Sequence, residues 1–235
     1  MKIAVVIPAL NEEEQVPVAI ASVGLREPGG DSGPSRVGPA PEIVVVDAGS
    51  RDRTVLRARE AGARVVEGER GRARQLELGW RETSGDVIVF LHADTRLEPG
   101  WEAAVRQALR DPGIVGGAFR LRFDAPGALF RLVEFIVALR VRFFALPYGD
   151  QAIFVRRAVL EEIGGVPVVA LMEDLDLVQA MKRRGRVVSL VPSATTSARR
   201  YLEDGPWGTL LRNALALAAW RFGVERARIA AWVGR

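Results

Sequence analysis

Four short runs of valine, isoleucine and leucine, separated by segments of helical length, set the tightest limit on how this chain can fold. The runs are Ile3–Ile7, Ile43–Val46, Val65–Val66 and Val87–Leu91. Between them lie Glu12–Val23, Arg53–Ala61 and Arg72–Arg81, whose composition suits helices. A strand buried on both faces reads as a continuous apolar run. Strands that alternate with helices build a mostly parallel sheet with helices on both sides. The expected class is therefore α/β, with a doubly wound, nucleotide-binding-like first half. Ligands of open sheets gather at the carboxyl ends of the strands, so chemistry is expected just after Ile7, Val46 and Leu91. Polar clusters stand at each place: Pro8-Ala9-Leu10-Asn11-Glu12, Asp47-Ala48-Gly49-Ser50 and His92-Ala93-Asp94.

The 235 residues suit one large domain. Its expected parts are a nucleotide-binding half over 1–112, an acceptor and catalytic half over 113–200, and an apolar helix with a basic tail over 201–235. Residues 26–41 are rich in glycine, proline and serine and read as a flexible surface loop. In the second half, strands are expected at Gly116–Phe123, Ala152–Val155 and Val187–Val191. Helices are expected at Leu129–Phe144, Leu171–Arg184 and Trp207–Phe222, with a turn at 147–151 and a helix end at Gly164-Gly165. Charges interrupt both greasy segments: Arg131, Glu134, Arg140 and Arg142 in the first, Arg212 and Arg221 in the second. Neither qualifies as a membrane span. They are expected to pack over the core or at a subunit interface, which leaves a homo-oligomer open. The rival reading is a hydrophobic acceptor groove or a peripheral contact with a membrane. Trp101 and Trp207 are expected in the core rather than stacked on sugar rings.

Composition excludes several chemistries. With no cysteine there is no disulfide scaffold, thiolate metal site or thiol nucleophile. No N-terminal apolar stretch has signal-peptide length, so a cytoplasmic location is expected. Lysine occurs only as Lys2 and Lys182; the other 31 of the 33 basic residues are arginines. Arginine suits anionic partners, although base-composition bias explains the excess equally well. No basic stripe long enough for nucleic acid is present, so no nucleic-acid partner is expected. The sequence lacks G-x-G-x-x-G, a P-loop and G-x-S-x-G, and His92 is its single histidine.

What remains is a series of acids at strand and helix ends. Asp47 could accept from a base or a ribose, or cap the following helix; Asp52 reads as a cap. Asp94 could hold a divalent cation against a diphosphate, or close a turn. Glu173, Asp174 and Asp176 stand together, which is both the ordinary dipole-compensating pattern of a first helical turn and a place for a general base.

In order, the motifs are P-A-L-N-E, V-V-V-D-A-G-S-x-D-x-T, G-R-A-x-Q, G-D-V-I-V-F-L-H-A-D-T, G-D-Q and E-D. The series resembles the family 2 glycosyltransferases of GT-A fold. More narrowly, it resembles a small soluble bacterial subgroup with histidine first in the metal motif. The resemblance implies a nucleotide-sugar pocket formed by Pro8, Ala9, Asn11, Glu12, Asp47, Gly49, Ser50, Arg72, Gln75, His92 and Ala93. It implies a Mn²⁺ or Mg²⁺ ion on Asp94 and His92, and a base, Asp174, beside Glu173. Gly149, Asp150 and Gln151 would form a donor or acceptor wall. Arg72, Gln75, Leu76 and Gly79 share one helical face, with Arg72 reaching the nucleotide-sugar.

Two departures matter. His92-Ala93-Asp94 stands where the family has D-x-D, removing one carboxylate from the metal site. No Q-x-x-R-W occurs, which favours single transfer over processive synthesis. The expected activity is inverting transfer from a UDP- or GDP-linked sugar to a hydroxyl acceptor, a lipid or carotenoid-like molecule among the candidates. The rivals are a nucleotidyltransferase of the same fold and a non-catalytic module that binds nucleotide-sugars.

Overall fold

The computed structural model describes residues 1–24, 39–203 and 205–233. Most of the loop expected at 26–41 lies outside the described residues, as does the side chain of Trp207. The chain begins with β1 (Ile3–Ala9), α1 (Val16–Ser22), β2 (Glu42–Asp47), α2 (Thr54–Glu60), β3 (Arg64–Glu67), α3 (Arg72–Arg81) and β4 (Val87–Phe90). Next come β5 (Thr95–Leu97), α4 (Trp101–Ala108), β6 (Ile114–Phe123), α5 (Ala128–Phe144), β7 (Ile153–Arg156), α6 (Arg157–Ile163), α7 (Glu173–Lys182) and β8 (Arg186–Thr196). The last elements are α8 (Arg199–Glu203), α9 (Pro206–Arg221) and α10 (Arg226–Val233), and a single 3₁₀ turn spans Gly149–Gln151.

One eight-stranded sheet runs through both halves in the order β3-β2-β1-β4-β7-β6-β8-β5. β1 pairs in parallel with β2 and β4, and β3 extends the parallel part. β7 reverses direction against β4. β6 runs antiparallel to β7 and parallel to β8. The apolar runs work as expected of strands buried on both faces. Ile3, Val5 and Ile7 pack with α1, α2 and α4 on one side. Ala4 and Val6 pack with α3, α6 and α7 on the other. Each large apolar side chain buried in this way contributes about 1.5–3 kcal/mol.

α3 lies close to the sheet because Gly79 lacks a side chain. A Cβ there would come within 2.2 Å of Val6 Cγ1 and 3.0 Å of Val46 Cγ2. Gln75, one turn earlier, donates from Nε2 to the carbonyls of Ala9 (3.0 Å) and Val46 (2.8 Å), tying α3 to the ends of both strands. Trp101 is buried and meets Phe119 edge-on, as expected of a core residue.

The two greasy helices each pack one side over the domain and leave the other side uncovered in the single chain. α5 buries Phe130, Val133, Val137 and Val141, and leaves the opposite side of the helix in solvent. α9 likewise exposes Leu211 and Leu215. A helix laid across the edge of a domain has only one side to bury. No helix among the described residues is long and apolar enough to cross a membrane.

Candidate active site

Two polar clusters stand at the carboxyl-terminal side of the sheet. The first joins the ends of β1 and β2. Asp47 is buried, and its Oδ2 accepts from the backbone N–H groups of Gly49 and Ser50, both at 3.0 Å, while Oδ1 accepts from the Ser50 hydroxyl. Ser50 Oγ accepts in turn from the Asn11 N–H at 2.8 Å, and Asn11 Oδ1 accepts from the Arg51 N–H at 2.9 Å. Asn11 adopts φ +54°, a left-handed conformation that asparagine tolerates. Asp52 Oδ1 accepts from the Thr54 N–H at 3.0 Å and braces the first residue of α2 from one position before the cap, which is Arg53. Its Oδ2 accepts from the Glu13 N–H at 3.2 Å. Pro8, Ala9, Asn11, Glu12, Asp47, Gly49 and Ser50 thus lie in or beside one hydrogen-bonded cradle.

The second cluster surrounds a cleft of about 650 Å³, lined by Arg72, His92, Asp94, Tyr148, Asp150, Glu173 and Asp174 among others. α7 brings the last two there. Met172, in the left-handed region at φ +64°, turns the chain into the helix. The three acids of the first turn then diverge. Glu173 is buried and takes a hydrogen-bonded ion pair from Arg72 Nε. Asp174 Oδ2 accepts from the Gly149 N–H at 2.7 Å and lies 3.9 Å from Arg72 Nη2. Asp176 points away; its Oδ1 and Oδ2 accept from Arg226 Nη2 at 2.8 and 2.7 Å, which fastens the C-terminal helices to α7. Three separate partnerships are more than a dipole effect requires.

Gly149 sits between histidine and acid. A Cβ at this position would meet His92 Nε2 at 3.0 Å and Asp174 Oδ2 at 3.2 Å. Asp150 follows, and its Oδ1 is buried without a hydrogen-bond partner. Burial pushes the Asp150 carboxyl up to about 6; Arg140 opposes the rise and Asp174 adds to it. Burial alone would lower the Arg72 pKa, but Glu173 and Asp174 beside it hold the guanidinium firmly charged.

Several expected contacts lie elsewhere. Gln75 uses Nε2 on strand carbonyls, and Ala93 is buried in the core beneath the cleft. Gln151 turns inward, donating to the Phe119 carbonyl at 3.0 Å and accepting from the Tyr148 N–H at 3.2 Å. It shapes the turn that presents Asp150 without lining the cleft itself. Asp47 belongs to the cradle and does not line the cleft. Conversely, one cleft wall carries none of the motif residues and was offered only in the rival reading of an acceptor groove: Thr209, Arg212, Asn213, Ala216 and Leu217 of α9. Their i, i+3, i+4, i+7, i+8 spacing is the signal that would have found them.

A divalent cation fits this site as a bridge, not as the content of a ready-made cage. Among the described residues no three His, Asp or Glu side chains form a metal-holding group. His92 and Asp94 on one cleft with the orphaned Asp150 oxygen suit an ion that completes its shell with substrate phosphate.

A mostly parallel sheet with an antiparallel insertion, carrying an acid-lined cleft at its strand ends, defines the GT-A class of glycosyltransferase fold. The comparison with solved structures agrees. Glucosyl-3-phosphoglycerate synthase from Mycobacterium tuberculosis, in complex with Mn²⁺, uridine diphosphate and phosphoglyceric acid, superposes with a TM-score of 0.62 at 23% identity. That match covers 95% of this chain and 79% of the other, and it establishes the fold. The glycosyl transferase family 2 profile matches residues 4–164, and the chain belongs to that family. Among curated relatives, glucosyl-3-phosphoglycerate synthase of M. tuberculosis (strain ATCC 25618 / H37Rv) is 39% identical over 101 residues, 39% of this chain and 28% of the relative. A 4,4'-diaponeurosporenoate glycosyltransferase of Staphylococcus haemolyticus is 33% identical over 118 residues, 46% of this chain and 28% of the relative. The matched stretch is thus under a third of the length of either relative.

Proposed function

We propose that this chain transfers a sugar, with inversion, from a nucleoside-diphosphate sugar to an acceptor oxygen. The carrying observation is the meeting of Asp94, Asp150, Asp174 and Arg72 on one cleft beside the β1/β2 cradle. The cradle would hold the nucleoside. UDP is the favoured nucleotide because the M. tuberculosis structure of the same fold contains it; a GDP-linked donor is the alternative. Arg72 is anchored to Glu173 through Nε, which leaves its Nη hydrogens to face the diphosphate. Asp174 is held in place by Gly149, and a carboxylate with about four acceptor sites retains room for an incoming hydroxyl. It would take that proton as the oxygen attacks the face of the sugar opposite the diphosphate, and a single attack inverts the anomeric centre.

Asp94 and His92 would hold Mn²⁺ or Mg²⁺ jointly with the donor's phosphates, and the ion would offset the negative charge that grows on the leaving diphosphate. Both relatives' names contain an acid, phosphoglycerate or diaponeurosporenoate. A wall carrying Thr209, Arg212 and Asn213 suits an acidic acceptor, whether small or lipid-like. We place the protein in the cytoplasm.

The test is Asp174→Asn, assayed by UDP release from UDP-sugars with donor affinity measured in parallel by calorimetry. A general base typically contributes 10²–10⁴-fold, so turnover should fall by about that factor while donor affinity stays within about twofold. Turnover that survives the change would remove Asp174 from this role. Consumption of UTP and sugar phosphate in place of UDP-sugar would identify a nucleotidyltransferase.

A further inference from the structure

α5 and α9 each carry a second apolar stripe that faces solvent. On α5 it is Leu132, Phe135, Ile136, Leu139 and Phe143, at i, i+3, i+4, i+7 and i+11, with exposures from 37% (Leu139) to 70% (Phe143). On α9, Leu211, Ala214, Leu215 and Ala218, followed by Phe222 just past the helix, repeat that spacing and are also exposed. Scattered exposed leucines mean little, but two helical stripes of this length mark a surface with a partner. The two helices border the same part of the molecule. The buried side of α5 packs with Tyr201 of α8, and α8 packs on α9.

Charge identifies the partner. The chain holds 33 basic and 29 acidic residues, a formal excess of +4. α5 and α9 hold five of the arginines and one acid, Glu134, so the rest of the chain balances to zero and the whole excess sits on these two helices. Arg142 and Arg221 are exposed beside the stripes. Arg131 pairs with Glu134, Arg140 lies over the Tyr148 ring and Arg212 lines the cleft, so two copies meeting through these faces would set Arg142 and Arg221 of one against the same pair of the other with no exposed acid on either helix, which disfavours self-association. No helix among the described residues can span a bilayer, so contact would be along its surface.

We propose that α5 and α9 dock on an anionic lipid bilayer, apolar stripes in the interface and arginines against headgroup phosphates. The inner side of α9 lines the cleft, so docking brings one cleft wall to the membrane. The inference concerns the surface alone and does not depend on the transferase reading.

The test is co-sedimentation of the full chain with vesicles of phosphatidylcholine alone and of phosphatidylcholine with phosphatidylglycerol. The expected result is pelleting with the anionic vesicles only, weakened at high salt. Replacing Phe135, Ile136 and Leu215 together by glutamine should reduce partitioning at least tenfold, and so should Arg142→Gln with Arg221→Gln. All these side chains are exposed, and unchanged melting would confirm that the variants fold. Failure to pellet with anionic vesicles overturns the proposal, as does pelleting that the glutamine variants leave intact. Self-association in sedimentation velocity without lipid binding would assign the face to a second copy and overturn it equally.

Discussion

At the ends of β1 and β2, Asp47 and Asp52 meet donors from neighbouring turns; in the cleft, carboxylates face one another. Asp47 and Asp52 are satisfied by backbone amides and hydroxyls within three residues or on the adjoining loop. Asp94, Asp150 and Asp174 crowd one cavity, with an orphaned oxygen on Asp150 and Arg72 as a shared counter-ion. The first arrangement gives a rigid cradle whose shape is set before any ligand arrives. The second leaves negative charge under-compensated, as a site for cations and protons requires. Fold stability and chemistry are thus served from neighbouring positions in the first turn of α3, Gln75 and Arg72.

Four substitutions bear on this contrast. Arg72→Ala should have the largest effect, because it leaves Glu173 buried without its ion pair; such losses cost about 3–5 kcal/mol, measured by urea unfolding. A cost near zero would mean that water reaches Glu173 and that the cleft is not under electrostatic tension. Asp150→Asn should act in the opposite sense and stabilise. The folded carboxyl keeps its proton up to about pH 6, whereas an unfolded aspartate releases it near 3.8. The folded state therefore binds more protons between those values, and wild-type stability falls as pH rises through them. Melts in a chelator should show the variant about 2–3 kcal/mol more stable near neutrality. The gap should close in acid, and one that persists there would contradict the assignment.

Gly79→Ala tests the link between the two regions. Its methyl group would press on Val6 and push α3 off the sheet, at a cost of about 1–3 kcal/mol. Donor affinity and turnover should decline together, since Gln75 and Arg72 ride on the same helix. Asp52→Ala should be mildest, about 1 kcal/mol, by removing the bond to the Thr54 amide. Burial tends to raise the Asp52 carboxyl, but hydrogen bonds from Thr54 and Glu13 outweigh it and hold the group below the usual range. Its contribution is therefore present at neutral pH and is lost as pH falls into the acid range.

Much of the first half was legible because strands covered on both faces leave unbroken apolar runs, and β1, β2 and β4 lie within two residues of their expected bounds. β5 was missed because three residues carry no period. α4 was missed although Trp101 and Val105, one turn apart, are its buried positions. β8 continues past Pro192 to Thr196, where the sequence suggested a stop at Val191; the register with β6 shifts there and Val191 is left in solvent. In the site, motif order identified Asp94 and Asp174 as partners. It did not separate Asp47 from them, because a carboxylate's donors are set by three-dimensional proximity. Nor did it show the α9 wall, whose polar residues reach the cleft only because Asp176 holds Arg226 and Trp220 against α7.

The anchoring of α3 has a consequence for how such a chain can change. Gln75 clamps two strand ends, and Arg72, three positions earlier on the same rod, grips the pair of acids on α7. A helix pinned twice within its first turn fixes the spacing between nucleoside and proton acceptor, so neither can drift without dragging the other. New substrates must then be accommodated on the opposite bank, where α9 is tied to α7 through Trp220, and its neighbour α10 through Arg226, and where the cleft-facing residues can be exchanged without disturbing the ruler.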